Sequence, residues 1–368
     1  MKNVRTCIYK RGMLDWWRIL LPIQANFRRH PDGWQKNLTQ RGGKRAANTA
    51  SNGCEYRFSN RPDAGSAETA RCQDRPHTDD GQKGDDDMTL QNLHTHTVFS
   101  DGKNTPEEMV LGAVRAGCTS LGFSEHSPLA PFYDPDRYAM EAADLPAYRS
   151  EILRLREKYA GQLEVYLGLE QDYDSPAPGP DFDYLIGSVH SVVADGVCLS
   201  VDNTRETLVS AVREHFGGDY LALAEAYFQR VGDVAARTGC QIAGHFDLLT
   251  KFNEGDCLFD AGAPRYLDAA MGAMEALLRR DVLFEINTGA MSRGCRTAPY
   301  PAPSLLRALR ERGGRICITS DSHSEGTVAF AFRQAGELAL ACGFRETWAL
   351  TETGFQAIGL EKFLEHVS

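Results

Sequence analysis

Beyond residue 88 the hydrophobic pattern alternates between short continuous apolar runs and longer stretches of helical period. Runs at 90–94, 120–124, 163–169, 184–189, 241–244, 282–287 and 315–320 are apolar and partly β-branched or aromatic, and they predict seven strands. Between them the spacing predicts helices over roughly 144–159, 220–238, 264–279, 304–312 and 327–342. A further helix opens at Thr105-Pro106-Glu107-Glu108 and ends near Gly117. There Thr105 suits the N-cap, Pro106 fits the first turn and Glu108 completes a capping box. Strand and helix in alternation imply an α/β architecture with parallel strands. No repeat of the solenoid kind interrupts it.

Residues 1–87 carry no sustained helical or strand period and are rich in Gly, Asn, Arg, Gln and Asp, with Trp16, Trp17 and Trp34 isolated. Such a segment has little apolar surface with which to offset its ordering entropy. The expectation is a disordered or mis-annotated extension over 1–87, with Met88 as the true start and one large domain over 88–368.

Charge divides at the same place. The first 87 residues hold 16 Lys/Arg and 11 Asp/Glu, whereas the remainder holds 24 and 39, a net −15. An acidic body of that size repels a polyanion, which argues against extended nucleic acid as a partner. A small phosphorylated molecule held through metal ions escapes this objection, because bound cations dominate the local field. The ten cysteines are scattered without a C-x-x-C pair, which points to reduced, packing thiols and a cytoplasmic location. No apolar run approaches the roughly 20 residues of a membrane span. The stretch 14–23 contains Asp15 and Arg18, which suits a secretory signal poorly.

The chemistry lies in where the ligand-type residues fall. His94 and His96 end the first predicted strand, His126 the second, Glu170 the third, His190 the fourth, His245 the fifth, and Asp321 and His323 the seventh. In a barrel of parallel strands these ends meet at one face, the face that hosts active sites. The i, i+2 spacing of His94 with His96, and of Asp321 with His323, turns both members of each pair to one side. Asp101 follows in Ser100-Asp101-Gly102, where a tight turn could aim its carboxylate over the mouth. Six of the ten histidines sit at strand ends, while His30, His77, His215 and His366 do not, a separation that favours a metal site over scattered structural histidines.

The run His94-Thr-His96-Thr-Val-Phe-Ser-Asp101-Gly102, with Ser124-Glu125-His126, Gly168-Leu169-Glu170, Gly187-Ser188-Val189-His190, Gly244-His245 and Ser320-Asp321-Ser322-His323, resembles the PHP (polymerase and histidinol phosphatase) superfamily across 89–323. The resemblance implies a distorted seven-stranded (β/α) barrel, TIM-like, and a site for three divalent ions with all nine ligand positions filled. His94, His96, Glu170 and Asp321 would hold one ion; Glu170, His190 and His245 a second; Asp101, His126 and His323 a third. Such mixed ligands suit Zn²⁺, Fe²⁺ or Mn²⁺ without choosing among them. The segments Gly244-His245-Phe246-Asp247-Leu248-Leu249-Thr250-Lys251-Phe252 and Glu285-Ile286-Asn287-Thr288-Gly289, with Arg293 and Pro299-Tyr300-Pro301, are similar to the histidinol-phosphatase branch.

The function that follows is hydrolysis of a phosphate monoester, L-histidinol phosphate, in histidine biosynthesis. Glu170, Asp321 and His323 are the candidate catalytic residues. Arg293 and Lys251 are candidate phosphate contacts, with Arg296 a weaker one, although an Arg would be equally expected where Lys251 stands. Glu125 and Asp247, each beside a predicted ligand, are candidates to orient imidazoles through their far nitrogens. Two rivals stand: a superfamily phosphoesterase acting on nucleotides or oligonucleotide ends, and an inactive metal-binding regulatory protein. Turnover of nucleotide 3′-phosphates without histidinol phosphate marks the first; a metal-loaded protein inert to phosphate esters marks the second.

Overall fold

The computed structural model describes residues 90–134 and 136–367; the expected extension over 1–87 and Met88 lie outside the described residues. Seven parallel strands form one sheet: β1 (Gln91–Asn92), β2 (Ser120–Phe123), β3 (Glu164–Asp172), β4 (Tyr184–Ser188), then, beyond a hairpin of β5 (Ser191–Ala194) and β6 (Val197–Ser200), β7 (Ile242–Ala243), β8 (Leu283–Asn287) and β9 (Ile316–Thr319). All seven predicted strands are present, and they run side by side in chain order.

The sheet curls into a nearly closed barrel with one seam, between β1 and β9. Just beyond the strand ends a parallel bridge pairs Thr95 with Ser322, through His96 N–H to Ser322 O (2.9 Å) and Ser322 N–H to His94 O (3.0 Å). Below it the buried Asn92 amide donates to Ser320 Oγ (2.8 Å) and accepts from Ser320 N–H (3.1 Å), so a side chain substitutes for missing ladder bonds.

Helices α1 (Pro106–Arg115), α2 (Leu145–Lys158), α3 (Arg205–His215), α4 (Tyr220–Thr238), α5 (Pro264–Leu278), the single turn α6 (Gly289–Ser292), α7 (Pro303–Glu311), α8 (Phe332–Ala341) and α9 (Leu360–His366) complete the chain with a second hairpin, β10 (Glu346–Thr351) and β11 (Gly354–Gly359). The capping box at Thr105 and Glu108 is formed in both directions. One helix departs from expectation: α8 begins at Phe332 rather than near residue 327. Thr327 spends its hydroxyl on Ser324 O and Ser322 Oγ, and Ala331 adopts φ +56°, so the turns after β9 serve the site loop first.

Tyr184 threads the barrel interior and donates its hydroxyl to Phe123 O (3.1 Å). A Cβ at Gly168 would lie 2.3 Å from its ring, so the glycine is what admits the phenol. Leu93, Ile186, Ile242, Leu283 and Cys317 pack around it, and the second hairpin closes the base with Trp348, Leu350 and Phe355. The described cysteines are free thiols, with Cys118, Cys240, Cys317 and Cys342 buried. Among the described residues no helix is long and apolar enough to cross a membrane.

Candidate metal centre

The C-terminal mouth of the barrel gathers every ligand-type residue singled out above. Glu170, two residues before the end of β3 rather than at its tip, points a fully buried carboxylate into the centre. Its Oε2 lies 3.4 Å from His94 Nε2, 3.6 Å from His96 Nε2 and 2.7 Å from His126 Nδ1. Its Oε1 lies 3.3 Å from His190 Nε2 and 3.0 Å from His245 Nε2. Asp321 Oδ1 faces the first pair from the other side, 3.8 Å from His94 Nε2 and 3.3 Å from His96 Nε2. Nearer solvent, Asp101 Oδ1 stands 3.6 Å from His126 Nε2 and 3.1 Å from His323 Nε2.

Gly102 makes the Asp101 turn possible. A Cβ there would lie 2.5 Å from the His96 and Thr97 backbone, which cannot yield as a side-chain tip could.

Burial alone would lower the His94 pKa, but the Glu285, Glu170 and Asp321 carboxylates outweigh it and hold the imidazole well above its ordinary value. His96, desolvated and crowded by His126 and His323, is pushed down to about 3. Burial would raise Glu170, yet the imidazoles of His126, His94 and His190 keep it well below the carboxylate range.

The donor set fits divalent cations. His94 Nε2 and both ring nitrogens of His96 are buried with no hydrogen-bond partner, a costly state for polar atoms that a coordinated ion relieves. Among the described residues, four subsets of three or four side chains, including His94-His96-Glu170 and His96-Asp101-His126-His323, bring ligand atoms within 4.8 Å of one another.

The family model described as PHP domain matches residues 92–289. The chain belongs to the PHP family. A Deinococcus radiodurans protein named as a probable histidinol-phosphatase is 34% identical over 262 residues, covering 67% of this chain and 91% of its own length. The Bacillus subtilis histidinol-phosphatase is 28% identical, with 67% of this chain and 97% of that protein covered. Among solved structures, Lactococcus lactis histidinol phosphate phosphatase, complexed with zinc, L-histidinol and phosphate, superposes with a TM-score of 0.55 at 21% identity, over 72% of this chain and 98% of the other. That likeness bears on the fold.

Within this PHP site, the carboxylates that orient imidazoles are not the ones expected. Glu125 and Asp247 make no bond to a ring nitrogen. Glu125 instead accepts from Thr97 N–H and Oγ1 and from Ser100 Oγ, and Asp247 Oδ2 accepts from Ala302 N–H (3.1 Å). His126 follows Glu125 directly and points into the mouth while Glu125 points away, as alternation along a strand end requires. Asp247 stands two residues after His245 at the start of a 3-10 turn, where strand alternation no longer applies. Glu285 and Asp172 take the role: Glu285 Oε2 meets His94 Nδ1 at 2.8 Å, and Asp172 Oδ2 meets His190 Nδ1 at 2.9 Å. Each fixes a ring so that Nε2 turns inward. Both left a trace in the sequence: Asp172 is i+2 from Glu170 on one strand, and Glu285 is a lone acid inside an apolar run.

A cleft of about 230 Å³ opens over the centre, lined in part by Asp101, Asp321, His323, Arg293 and Lys251. Arg293 donates to Asp321 Oδ2 (3.1 Å) and Asp321 O (3.2 Å). Lys251 also reaches the cleft, but its ammonium is engaged by Asp202, at 2.6 Å to the carbonyl and 3.3 Å to the carboxylate. Arg296 stacks on Tyr300 and donates to Thr250 O, and it does not line the cleft. The far wall comes from loops with no sequence period: Asp136, Tyr138, Asp202 and Asn203.

Proposed function

We infer that this chain is a metal-dependent phosphomonoesterase that hydrolyses L-histidinol phosphate to L-histidinol and phosphate in histidine biosynthesis, with residues 88–368 as its catalytic domain. One observation carries the metal chemistry: five imidazole nitrogens lie within 3.6 Å of a single buried carboxylate, Glu170. An isolated acid would not gather five imidazoles, whereas imidazoles grouped around a shared carboxylate are a donor set that would hold divalent cations. The substrate follows from relatives named histidinol-phosphatase at 27–34% identity.

In this reading the nine donors would hold three divalent ions. His94, His96, Glu170 and Asp321 would hold the first, Glu170, His190 and His245 the second, and Asp101, His126 and His323 the third. When bound, such ions neutralise the phosphate dianion, acidify water and align displacement. The chain's own groups set the rest. Glu170, Asp321 and His323 are the residues we assign to catalysis, and Arg293 offers planar guanidinium donors to phosphoryl oxygens. Lys251, paired with Asp202 as Arg293 is with Asp321, is the second cation we assign to the phosphate. On the far cleft wall Asn203 Nδ2 donates to Asp136 Oδ1 (2.6 Å), presenting an oriented carboxylate that suits the ammonium end of an amino-alcohol phosphate.

The test is phosphate release from histidinol phosphate and nucleotide 3′-phosphates, each with Mn²⁺, Zn²⁺ and Fe²⁺. Efficient turnover of histidinol phosphate is expected. Turnover of the nucleotides alone would transfer the assignment to the nucleotide-directed reading, and inertness in every arm would remove the enzyme.

A further inference from the structure

We propose that Glu125 is a positioning residue that holds the solvent-side ion of the centre by tying the Asp101 loop to the strand ends carrying His126 and Glu170. This rests on the metal reading given above, not on the identity of the substrate.

Glu125 is fully buried and lies two residues beyond the end of β2. Its Oε2 accepts from Thr97 N–H at 3.1 Å, its Oε1 accepts from Thr97 Oγ1 at 2.6 Å, and Ser100 Oγ donates to Oε2 as well. Thr97 O in turn accepts from Ser100 N–H and Gly102 N–H, both at 3.0 Å, so Thr97 is the hub of the turn that carries Asp101. The Glu125 backbone faces the other way: its carbonyl accepts from Glu170 N–H at 3.0 Å, and the next residue is His126. One residue therefore joins the Asp101 turn, His126 and the central carboxylate.

The group it serves is the one least secured by burial. The side chains of Asp101, His323 and His126 are 37%, 17% and 9% exposed, whereas those of His94, His96 and Glu170 are 0% exposed. Asp101 belongs to a loop rather than a strand, so its aim depends on what anchors that loop. Charged hydrogen bonds from a buried carboxylate are strong anchors. A residue that only filled space would not need both oxygens bonded to the ligand-bearing turn.

The test compares wild type, Glu125→Gln and Ser100→Ala as Mn²⁺-loaded full-length chains. Metal per chain is counted by mass spectrometry during dialysis against a weak chelator, alongside thermal melts and steady-state kinetics. In Glu125→Gln one ion is expected to leave first, its affinity weakened about tenfold to a hundredfold, while the other ions and the melting midpoint are retained. Added Mn²⁺ restores kcat with KM little changed. Ser100→Ala, at the loop end of the contact, moves metal release in the same direction by less. Release as slow as wild type in both variants, or simultaneous loss of all ions, overturns the proposal. If Glu125→Gln does not fold, Ser100→Ala decides, and unchanged release of its first ion overturns it. A wild-type chain that binds no divalent ion removes the metal reading itself, which is a different result.

Discussion

Each imidazole at the mouth is useful only through the nitrogen its neighbours leave free. Glu285 occupies His94 Nδ1 and also accepts from Thr319 Oγ1 and Asn287 Nδ2, each at 2.8 Å, so His94 Nε2 has one direction available. Glu285→Gln is expected to lower metal affinity and activity by roughly 10–100-fold, recoverable with excess metal. Glu170→Gln touches the shared carboxylate directly, and its loss should exceed about a hundredfold, beyond the range of a merely orienting partner, with no rescue. Metal titrations followed by phosphate release separate the two; equal, fully rescued losses would deny Glu170 its bridging place. Arg293 differs in kind, since it reaches the cleft while bracing Asp321. Arg293→Ala is expected to raise KM roughly tenfold to a hundredfold, the worth of hydrogen bonds to a charged group. A KM within a factor of about two of wild type, below one such bond, would place the phosphate elsewhere.

The elements show which signals reach the sequence. The barrel strands were legible because both their faces are buried, which makes them continuous apolar runs. Their lengths were less so: β1 pairs over Gln91–Asn92 alone, because Thr95 N–H turns to Ser124 Oγ (2.9 Å) and His96 N–H to Ser322 O. The two hairpins, α3, the single turn α6 and α9 carry no sequence signal of that strength. β5 and β6 are four residues each with partly exposed faces, and α3 buries only Leu208, Ala211 and Val212. The convergence of the nine polar residues was readable because the topology forces strand ends together. The orienting acids on β3 and β8 left only a faint trace, because which ring each one meets depends on pairing across the barrel, and the far cleft wall left none, because it depends on which loop faces which. The base hairpin supplies a stability test remote from the chemistry: Leu350, 5% exposed, packs under the barrel interior. Leu350→Ala is expected to cost about 2–5 kcal/mol, read as a lower melting temperature with kcat preserved at room temperature. An unchanged melt would mean that the hairpin does not seal the base.

At the scale of the molecule, an acidic body holds a centre whose charges balance internally until cations arrive. In the metal-free chain burial opposes charging, but Glu170 and neighbouring carboxylates overcome it and raise the pKa of His94, His126 and His190. Glu170 and Asp321 are depressed in return. A raised imidazole contributes stability that is complete below about 6.5, its unfolded value, and is lost as pH climbs through the folded value. A depressed carboxylate contributes stability that is complete above about 4 and is lost as pH falls through its folded value. His96, held down to about 3 in the folded chain, works the other way and removes stability as pH falls below about 6.5. The metal-free protein should therefore be most stable near that pH and melt progressively lower as pH rises beyond it. Metal loading reverses the slope, because ligands must shed protons to coordinate, so ions bind more tightly at higher pH. Melting curves of chelator-treated and Mn²⁺-loaded protein between about pH 5 and pH 8 should thus diverge as pH increases. Curves that run parallel across that range would mean that these imidazoles are not titrating against the ions, and the centre would have to be sought in other side chains.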